Sequence, residues 1–212
     1  MKLFIFDMGG VVVGNVAVVS QIASMLGITD NEFYKAAGSD EGSLTSPYNL
    51  GDIGAIMRGD IDGAEFWRRF TKRSGIVIKG NPWRDCFKPV IKDDTIALIN
   101  DLRAAAYRVV CGTNTLDAHY QSHLERGDYK HFDAVYASHL MHVIKPDPAF
   151  WQHILAAENC SAACASFTDD AQENIDAATK LGIKAYLFNE AADLRAAISI
   201  GDESGAVSNG LK

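Results

Sequence analysis

Short apolar runs alternate with helix-like patterns along most of the chain. Five runs are candidates for parallel strands, and they read KLFIFDM, RVVCGT, DAVYAS, ASFTDD and KAYLFN. Between the last four runs lie LDAHYQSHLERG, DPAFWQHILAAEN and QENIDAATKLG, and AADLRAAI follows the fifth. This alternation predicts an α/β fold: a doubly wound, Rossmann-like parallel sheet with helices on both faces.

The spacing of the runs breaks once, after the first of them. Some 100 residues separate the first run from the second, whereas each later unit takes about 25 to 30 residues. Within the long gap, helical spacing joins Val16, Val19, Ile22, Ala23 and Leu26, and TDNEFYKAA and DGAEFWRRF predict two more helices. We therefore predict a core of residues 1–13 and 89–200 that carries an inserted α-helical cap, residues 14–88.

Local signals set the borders of several predicted segments. Asp62 is expected to cap the helix of DGAEFWRRF, with Glu65 reaching back to complete a capping box. Asp93 or Asp94 is expected to cap the helix of IKDDTIALINDLRAAA, which leads back into the sheet. The polar, Gly-rich SDEGSLTSPYNLG predicts a loop, and residues 201–212 predict a flexible tail.

Composition narrows the classes of partner. The chain has 212 residues, 48% of them hydrophobic, with a net charge of −7 and a pI near 5.3, so no basic stripe is available for nucleic acid. No run of about 18 apolar residues predicts a membrane span, and Asp7 splits the apolar start, which is read as a strand and not a signal peptide. We expect a cytoplasmic protein. The four cysteines match neither a disulfide framework nor a zinc motif.

A single carboxylate ends the first predicted strand. A lone buried Asp7 is costly unless a cation or several donors meet it. Gly9 and Gly10 allow successive backbone N–H groups to turn inward as an anion nest, which with Met8 makes this turn a candidate phosphate-binding loop. The alternative is that Asp7 only caps a tight turn.

Polar residues also follow the later strands, in places where the carboxyl edge of the sheet would gather them. Thr113 and Asn114 end the second run, Lys145 precedes a proline-fixed loop, and Asp169 and Asp170 end the fourth run. Asn174 lies one turn into the following helix. Each feature has an ordinary structural explanation, but their joint occurrence favours a site, and clustered oxygen ligands suit Mg²⁺.

The motifs FDMGGVV, GTN, KPDP and TDDAQENIDAA, in this order, resemble those of the haloacid dehalogenase superfamily, over about residues 2 to 198. The resemblance implies a Mg²⁺-dependent phosphatase with Asp7 as nucleophile, Thr113 and Lys145 as catalytic residues, and Asn114 in support. It also implies a small helical cap. Mg²⁺ would be held by Asp7, the Gly9 carbonyl and Asp170, with Asp169 assisting and Asn174 orienting the acidic pair.

One position departs from that family pattern. Family phosphatases usually carry a second Asp two residues after the nucleophile as acid and base, and here that residue is Gly9. A positioned acid or base contributes about 10² to 10⁴ in rate. The substrate would then be a small phosphorylated metabolite with a good leaving group, such as an aryl phosphate or a sugar 1-phosphate, unless another group supplies the proton.

Several alternatives stay open at this point. His119 and His142 are the histidines nearest the site in sequence, and His139 or His142 could modulate the pH dependence. A 2-haloacid dehalogenase also lacks the second Asp, but it has no evident use for adjacent carboxylates. A non-catalytic phosphate-binding protein is the third alternative. The sequence leaves a monomer and a homodimer equally open.

Overall fold

The computed structural model describes residues 2–39 and 51–198 of the chain. In chain order the strands are β1 (Lys2–Phe6), β2 (Val13–Gly14), β3 (Val90–Ile91), β4 (Tyr107–Thr113), β5 (Ala134–Ala137), β6 (Ala165–Asp169) and β7 (Lys184–Leu187). The α-helices are α1 (Val19–Leu26), α2 (Asp30–Ala36), α3 (Gly51–Met57), α4 (Gly63–Ser74), α5 (Pro82–Asp85), α6 (Asp93–Ala104), α7 (Asp117–Arg126), α8 (Ser138–Met141), α9 (Pro148–Ala157), α10 (Gln172–Lys180) and α11 (Ala191–Ile198). Short 3₁₀ helices span Asp128–His131 and Ala162–Cys164.

Five strands form one parallel sheet in the order β5-β4-β1-β6-β7. All five correspond to the predicted apolar runs, and the α/β fold with a doubly wound sheet is confirmed. Strand β1 lies at the centre, and its Phe6 stands opposite Cys111 of β4 and Thr168 of β6. The residues that follow β1, β4 and β6 therefore emerge side by side at the carboxyl edge of the sheet.

Alternate residues of β1 face two separate apolar cores, which explains why the strand reads as continuously apolar. Phe4 and Phe6 pack on one face with Leu98 and Leu102 of α6. Leu3 and Ile5 pack on the other face, with a cluster that includes Val110, Phe150, Trp151, Ile154 and Phe167. Both faces are thus covered by helices, as parallel sheets require.

The inserted segment forms helices α1 to α5 around its own apolar cluster. Most of the aromatic contacts in this cluster are edge to face or tilted, and they join Phe33, Phe66, Trp67, Phe70 and Trp83. Strands β2 and β3 pair antiparallel, so the chain leaves the sheet domain and returns to it along one two-stranded ribbon. The ribbon lies at both predicted borders of the cap. The division at residues 14 and 88 itself stays a prediction.

Two of the predicted caps differ in the structure. The Asp62 carboxylate does accept a hydrogen bond from the Glu65 backbone N–H at 2.7 Å, but the Glu65 side chain pairs with Arg68 and Arg69, because two guanidinium groups compete for it. The complete capping box lies instead at Thr29 and Glu32.

Helix α6 was expected to be capped by Asp93 or Asp94, and that expectation is wrong. The helix begins after Lys92 without a side-chain cap, and Asp94 accepts only from the neighbouring N–H of Thr95, at 2.8 Å. Helices α3, α5 and α8 were not predicted from the sequence, because they are too short to show a clear periodicity.

Two predicted segments fall largely or wholly outside the described residues: the SDEGSLTSPYNLG loop, of which residues 40–50 are not described, and the tail, residues 201–212. Within residues 2–39 and 51–198, none of the helices has the length and apolar character that a membrane crossing needs.

Candidate active site

The centre of the site is Asp7, which directly follows β1 and is 8% exposed. Its backbone N–H donates to the Thr168 carbonyl at 3.0 Å, so the hydrogen-bond ladder between β1 and β6 extends to this residue. The carboxylate is therefore fixed at the middle of the carboxyl edge, with β4 on one side and β6 on the other.

Lys145 joins the two sides of the edge from beneath. Its ammonium donates to the Asp7 Oδ1 atom at 2.6 Å, to the Asp169 Oδ2 atom at 2.7 Å and to the Gly112 carbonyl at 3.1 Å. An ammonium has three N–H donors, and here all three have protein acceptors. Lys145 is only 2% exposed, so this buried cation compensates the buried carboxylates.

Asn114 holds the backbone of Lys145. Its side-chain amide donates to the Lys145 carbonyl at 3.0 Å, and its side-chain oxygen accepts from the Lys145 N–H at 2.8 Å. Both polar ends of the Asn114 side chain are engaged in this way. Asn114 therefore fixes the backbone of Lys145, and Thr113 beside it ends β4; both residues line the cavity described below.

The acidic pair after β6 consists of one fixed and one freer carboxylate. Asp169, 1% exposed, accepts at Oδ1 from the Ala171 N–H at 2.9 Å and from the Asn174 side-chain amide at 3.0 Å. Asp170 is exposed. Asn174 thus contacts Asp169 as the predicted supporting role requires, and Asp170 is the member of the pair with room for an additional ligand.

Gly9 and Gly10 meet very different surroundings in the turn after Asp7. Gly10 has a φ of +75°, and a Cβ atom built there would lie 1.9 Å from the Asp170 Oδ2 atom, so this close approach requires glycine. A Cβ atom at Gly9 would meet nothing closer than Val16, at 3.5 Å. The absence of a carboxylate at position 9 therefore has no steric cause at the Cβ position.

The turn is held from the other side by two residues that the sequence analysis did not single out. The Lys92 ammonium donates to the Gly10 carbonyl, and the Thr95 hydroxyl donates to the Val11 carbonyl at 3.1 Å. Both come from the start of α6, some eighty residues away in sequence. No local pattern marks such a contact, so sequence reasoning had no signal for it.

The three carboxylates fit a divalent cation. One oxygen each from Asp7, Asp169 and Asp170 lies within 4.8 Å of the others, and Gly10 leaves the space that Asp170 needs to join them. Hard oxygen donors in such a group suit Mg²⁺. The Gly9 carbonyl stays a predicted ligand.

Burial and charge perturb the acids of this site. Burial raises the pKa of Asp7 to about 7, and Asp169 adds to the increase, while the Lys145 ammonium acts in the opposite direction. Burial and Asp169 also raise the pKa of Asp170. For Lys145, burial lowers the pKa, but the Asp169 and Asp7 carboxylates outweigh it and hold the pKa above its usual range. The site therefore has three carboxyl groups but only one ammonium group, that of Lys145, to balance their negative charge.

A cavity of about 320 Å³ lies between the turn that follows Asp7 and the inserted helices. Met8, Gly9, Thr113 and Asn114 line it at the sheet edge. Its other walls are formed by Val16, Ala17, Val18, Val19, Ser20, Tyr34, Ile53, Met57, Trp83, Phe87, Thr115, Leu116, His119 and His123. The cavity joins the sheet edge to the predicted cap, and most of its walls are apolar.

The histidines singled out in the sequence lie in different places. His119 lines the cavity, where its Nε2 atom is 2.9 Å from the Trp83 carbonyl and its ring stacks on Phe87 at 3.9 Å. His139 is buried against Tyr120, and His142 has its Nδ1 atom 3.0 Å from the Arg58 carbonyl. Neither of these two is among the residues that line the cavity. A role for them in pH dependence stays a prediction.

Comparison with known proteins identifies sequence relatives of the chain. Residues 1–182 match the model of the haloacid dehalogenase-like hydrolase family. The sesquiterpene phosphatase astK of Aspergillus oryzae is 28% identical over 174 residues, which cover 71% of this chain and 87% of that protein.

Solved structures show the same fold. The HAD family enzyme bt-2542 of Bacteroides thetaiotaomicron, in complex with magnesium and inorganic phosphate, is 20% identical with a TM-score of 0.69, covering 89% of this chain and 94% of that chain. A HAD-like hydrolase of Porphyromonas gingivalis is 20% identical with a TM-score of 0.74, covering 94% and 96%. Since the family model spans most of the chain, the protein belongs to the haloacid dehalogenase-like hydrolases.

Proposed function

We propose that the protein is a Mg²⁺-dependent phosphatase that hydrolyses small phosphate monoesters through a phosphorylated Asp7. The observation that carries the proposal is the bridge from the Lys145 ammonium to both Asp7 and Asp169, with Asp170 close enough to share a cation. A nucleophilic carboxylate, a buried ammonium and a further acidic pair at one sheet edge are what attack on a charged phosphate requires.

Each residue has a separate role in the proposed reaction. Asp7 Oδ1 accepts from Lys145, which leaves Oδ2 as the attacking oxygen. The ester bond to the leaving group breaks as the bond from Asp7 to phosphorus forms, and water then attacks phosphorus to release phosphate and free Asp7. The Thr113 hydroxyl binds a phosphoryl oxygen, while Asn114 and Asn174 keep Lys145 and Asp169 in position.

Asp7 and Asp170 would hold Mg²⁺, with the Gly9 carbonyl as a further ligand and Asp169 beside them. When bound, the cation would neutralise charge on the phosphoryl group and on the Asp7 carboxylate, which favours the ionised nucleophile. Because all three donors of Lys145 already bond to protein acceptors, the lysine serves the carboxylates and not the substrate in this arrangement.

Position 9 decides which esters react well. Without a carboxylate there, no side chain of the turn can protonate the departing oxygen, so esters of acidic alcohols and phenols should react faster than alkyl esters. Aryl phosphates and sugar 1-phosphates satisfy this condition. The similarity to a sesquiterpene phosphatase supports the reaction class and admits an apolar organic group on the phosphate.

A 2-haloacid dehalogenase is the competing hydrolase. Attack on carbon requires no metal, so that reaction has no use for three carboxylates whose oxygens lie within 4.8 Å of one another. A purely phosphate-binding role is disfavoured because binding alone has no use for a nucleophilic carboxylate such as Asp7.

The test is phosphate release from a graded panel of aryl, sugar 1- and alkyl phosphates, each with Mg²⁺ and with a chelator. We expect release only with Mg²⁺, falling steeply as the leaving group becomes more basic. A shallow dependence would mean that another group donates the proton. No release from any ester, together with chloride release from 2-chloropropionate, would replace the proposal by dehalogenation.

Replacement of the nucleophile gives the matched control. Asp7→Asn keeps the shape of the side chain and leaves Lys145 paired with Asp169, so the fold should survive. We expect phosphate release to fall by more than about 10²-fold, measured on protein with an unchanged circular dichroism spectrum. Residual turnover above about one part in a hundred would remove Asp7 from the nucleophilic role.

A further inference from the structure

We propose that the group released with the phosphate is an apolar alcohol or phenol, and that its hydrocarbon part fills the cavity beneath helices α1 to α5. This inference rests on the phosphatase function proposed above and names the substrate class of the same site. It narrows the substrate from the sugar 1-phosphates, which leaving-group chemistry alone would admit, to hydrocarbon monophosphates.

The walls of the cavity are hydrocarbon from both sides. The inserted helices and the segments between them contribute Val18, Ile53, Met57, Trp83 and Phe87, and the sheet domain contributes Leu116. Val18, Trp83 and Leu116 are 4% exposed or less, and all are part of one apolar cluster. A hydrocarbon group placed between these walls is removed from water on several sides, which favours binding in proportion to its apolar area.

Several polar side chains that line the cavity are already bonded to other protein atoms, whereas the buried Trp83 Nε1 atom has no partner within the described residues. The Ser20 hydroxyl donates to Asp30 at 2.5 Å. The Nε2 atom of His119 bonds to a backbone carbonyl, and the Nδ1 atom of His123 is 2.8 Å from Asp128. A sugar would bring several hydroxyl groups into a space with few free partners, and each unpaired hydroxyl costs binding energy.

The lack of charged side chains in the cavity disfavours substrates that carry a second phosphate group. Among the described residues, no Lys, Arg, Asp or Glu lines the cavity. A diphosphate would place at least one further negative charge against apolar walls without a cation to meet it. The inference is therefore limited to monophosphates, whose single phosphoryl group is bound at the sheet edge.

The size and mouth of the cavity fit one organic group. At about 320 Å³ it lies at the lower end of the range, roughly 300 to 1,000 Å³, that is typical of pockets for small organic ligands. Gly9 lies at the mouth, next to Val16. A carboxylate at position 9 would stand between the phosphoryl group and these walls, and glycine keeps the mouth apolar.

The test separates apolar contact from leaving-group chemistry with phenyl phosphate and its para-methyl, para-propyl and para-pentyl derivatives. A para-alkyl chain hardly changes the acidity of the phenol, so any trend in kcat/KM with Mg²⁺ reports contact with the protein. We expect an increase of about two- to fourfold per methylene until the cavity is full, and no comparable gain for glucose 1-phosphate over phenyl phosphate. Equal kcat/KM for all the phenyl esters, or preference for the sugar ester, would overturn the inference while leaving the phosphatase reaction intact.

No phosphate release from any ester would instead overturn the proposed function, and the inference with it.

A variant and its control test whether the trend in kcat/KM with chain length arises from the cavity. Met57→Glu places a carboxylate in the lining and should remove the chain-length trend, so that kcat/KM no longer rises from phenyl phosphate to the para-pentyl ester. Met25→Glu, at a residue 52% exposed and outside the lining, should keep the trend.

A binding measurement covers the case in which Met57→Glu does not fold. The free phenols should inhibit the wild-type protein competitively, and para-pentylphenol should inhibit at least about tenfold more strongly than phenol. Equal inhibition by the two phenols would count against the inference without any variant.

Discussion

The sheet edge, which is the charged side of the site, differs in polarity and charge from the cavity wall formed by helices α1 to α5, which is the apolar side. At the sheet edge, three carboxylates and one ammonium lie within hydrogen-bond reach or a few ångströms of each other. Across the cleft, the inserted helices present aliphatic and aromatic side chains around a cavity of about 320 Å³. The difference suits the proposed roles, in which the charged side carries out the reaction and the apolar side selects the ester.

The charged side should fail most severely when its buried cation is removed. Lys145→Met leaves Asp7 and Asp169 buried without their shared partner, which should cost about 3 to 5 kcal/mol of unfolding free energy. Turnover should fall by more than about 10³-fold, because the repulsion between nucleophile and phosphate returns. Urea unfolding and phosphate release measure the two effects.

Lys180→Met provides the comparison for Lys145→Met, because Lys180 is exposed in the last turn of α10. It should change the unfolding free energy by no more than about 0.5 kcal/mol. A cost below about 1 kcal/mol for Lys145→Met would mean that the buried bridge contributes little to the fold.

A carboxylate at position 9 should reduce the difference in reactivity between esters with good and poor leaving groups. Gly9→Asp fits at its Cβ atom, which has no neighbour closer than 3.5 Å, and it adds a proton donor for the departing oxygen. Hydrolysis of alkyl phosphates should increase by about tenfold or more, while the para-pentyl esters lose part of their advantage over phenyl phosphate. Unchanged rates for alkyl phosphates would show that the missing acid does not limit them.

The neighbouring glycine should respond in the opposite way. Gly10→Ala forces a Cβ atom to within 1.9 Å of the Asp170 carboxylate and strains a backbone with a φ of +75°. The Mg²⁺ concentration needed for half-maximal activity should rise by at least about tenfold, since Asp170 must move. Gly9→Ala, whose Cβ meets only Val16, should leave that concentration within about twofold, and equal effects of the two substitutions would contradict the assignment of Asp170.

On the apolar side, the buried His119 should make the free energy of unfolding depend on pH. Burial lowers the pKa of His119 from 6.5 to about 4, so the unfolded chain binds more protons than the folded chain between those pH values. The contribution of His119 to stability should therefore fall by about 1 to 2 kcal/mol as the pH drops from 7 to 5, whereas Asp7, whose pKa burial raises to about 7, acts in the opposite direction. His119→Gln should reduce this slope in urea unfolding experiments, and an unchanged slope would assign it to other groups.

The two sides also differ in how far the sequence predicts them. Polar residues recur along the chain at the ends of apolar strands, and Lys145 lies in the turn before α9, so their order already indicates one edge of a parallel sheet. The residues at strand ends are Asp7, Thr113, Asn114, Asp169 and Asp170. The bonds among these residues, such as the hold of Asn114 on Lys145, need coordinates because they depend on side-chain direction.

The cavity could not be predicted in this way. Met57, Trp83 and His119 meet there from three different elements, and in the sequence each reads as an ordinary core or surface residue. The contacts of Lys92 and Thr95 with the turn after Asp7 could not be predicted from the sequence either, because they join residues some eighty positions apart. The succession of strands and helices along the chain follows from local pattern, whereas packing between distant helices does not.

The central claim, that Asp7 is the phosphorylated nucleophile, is tested most directly by acid quenching during turnover with Mg²⁺ and para-pentylphenyl phosphate. Because position 9 offers no base to activate water, hydrolysis of the phosphorylated carboxylate should be slow enough for it to accumulate. The account predicts a burst of phenol approaching one equivalent per protein and, by mass spectrometry, one added phosphoryl group on the peptide that contains Asp7. A phosphoryl group on another residue, or turnover with an unmodified Asp7 at every quench time, would contradict it.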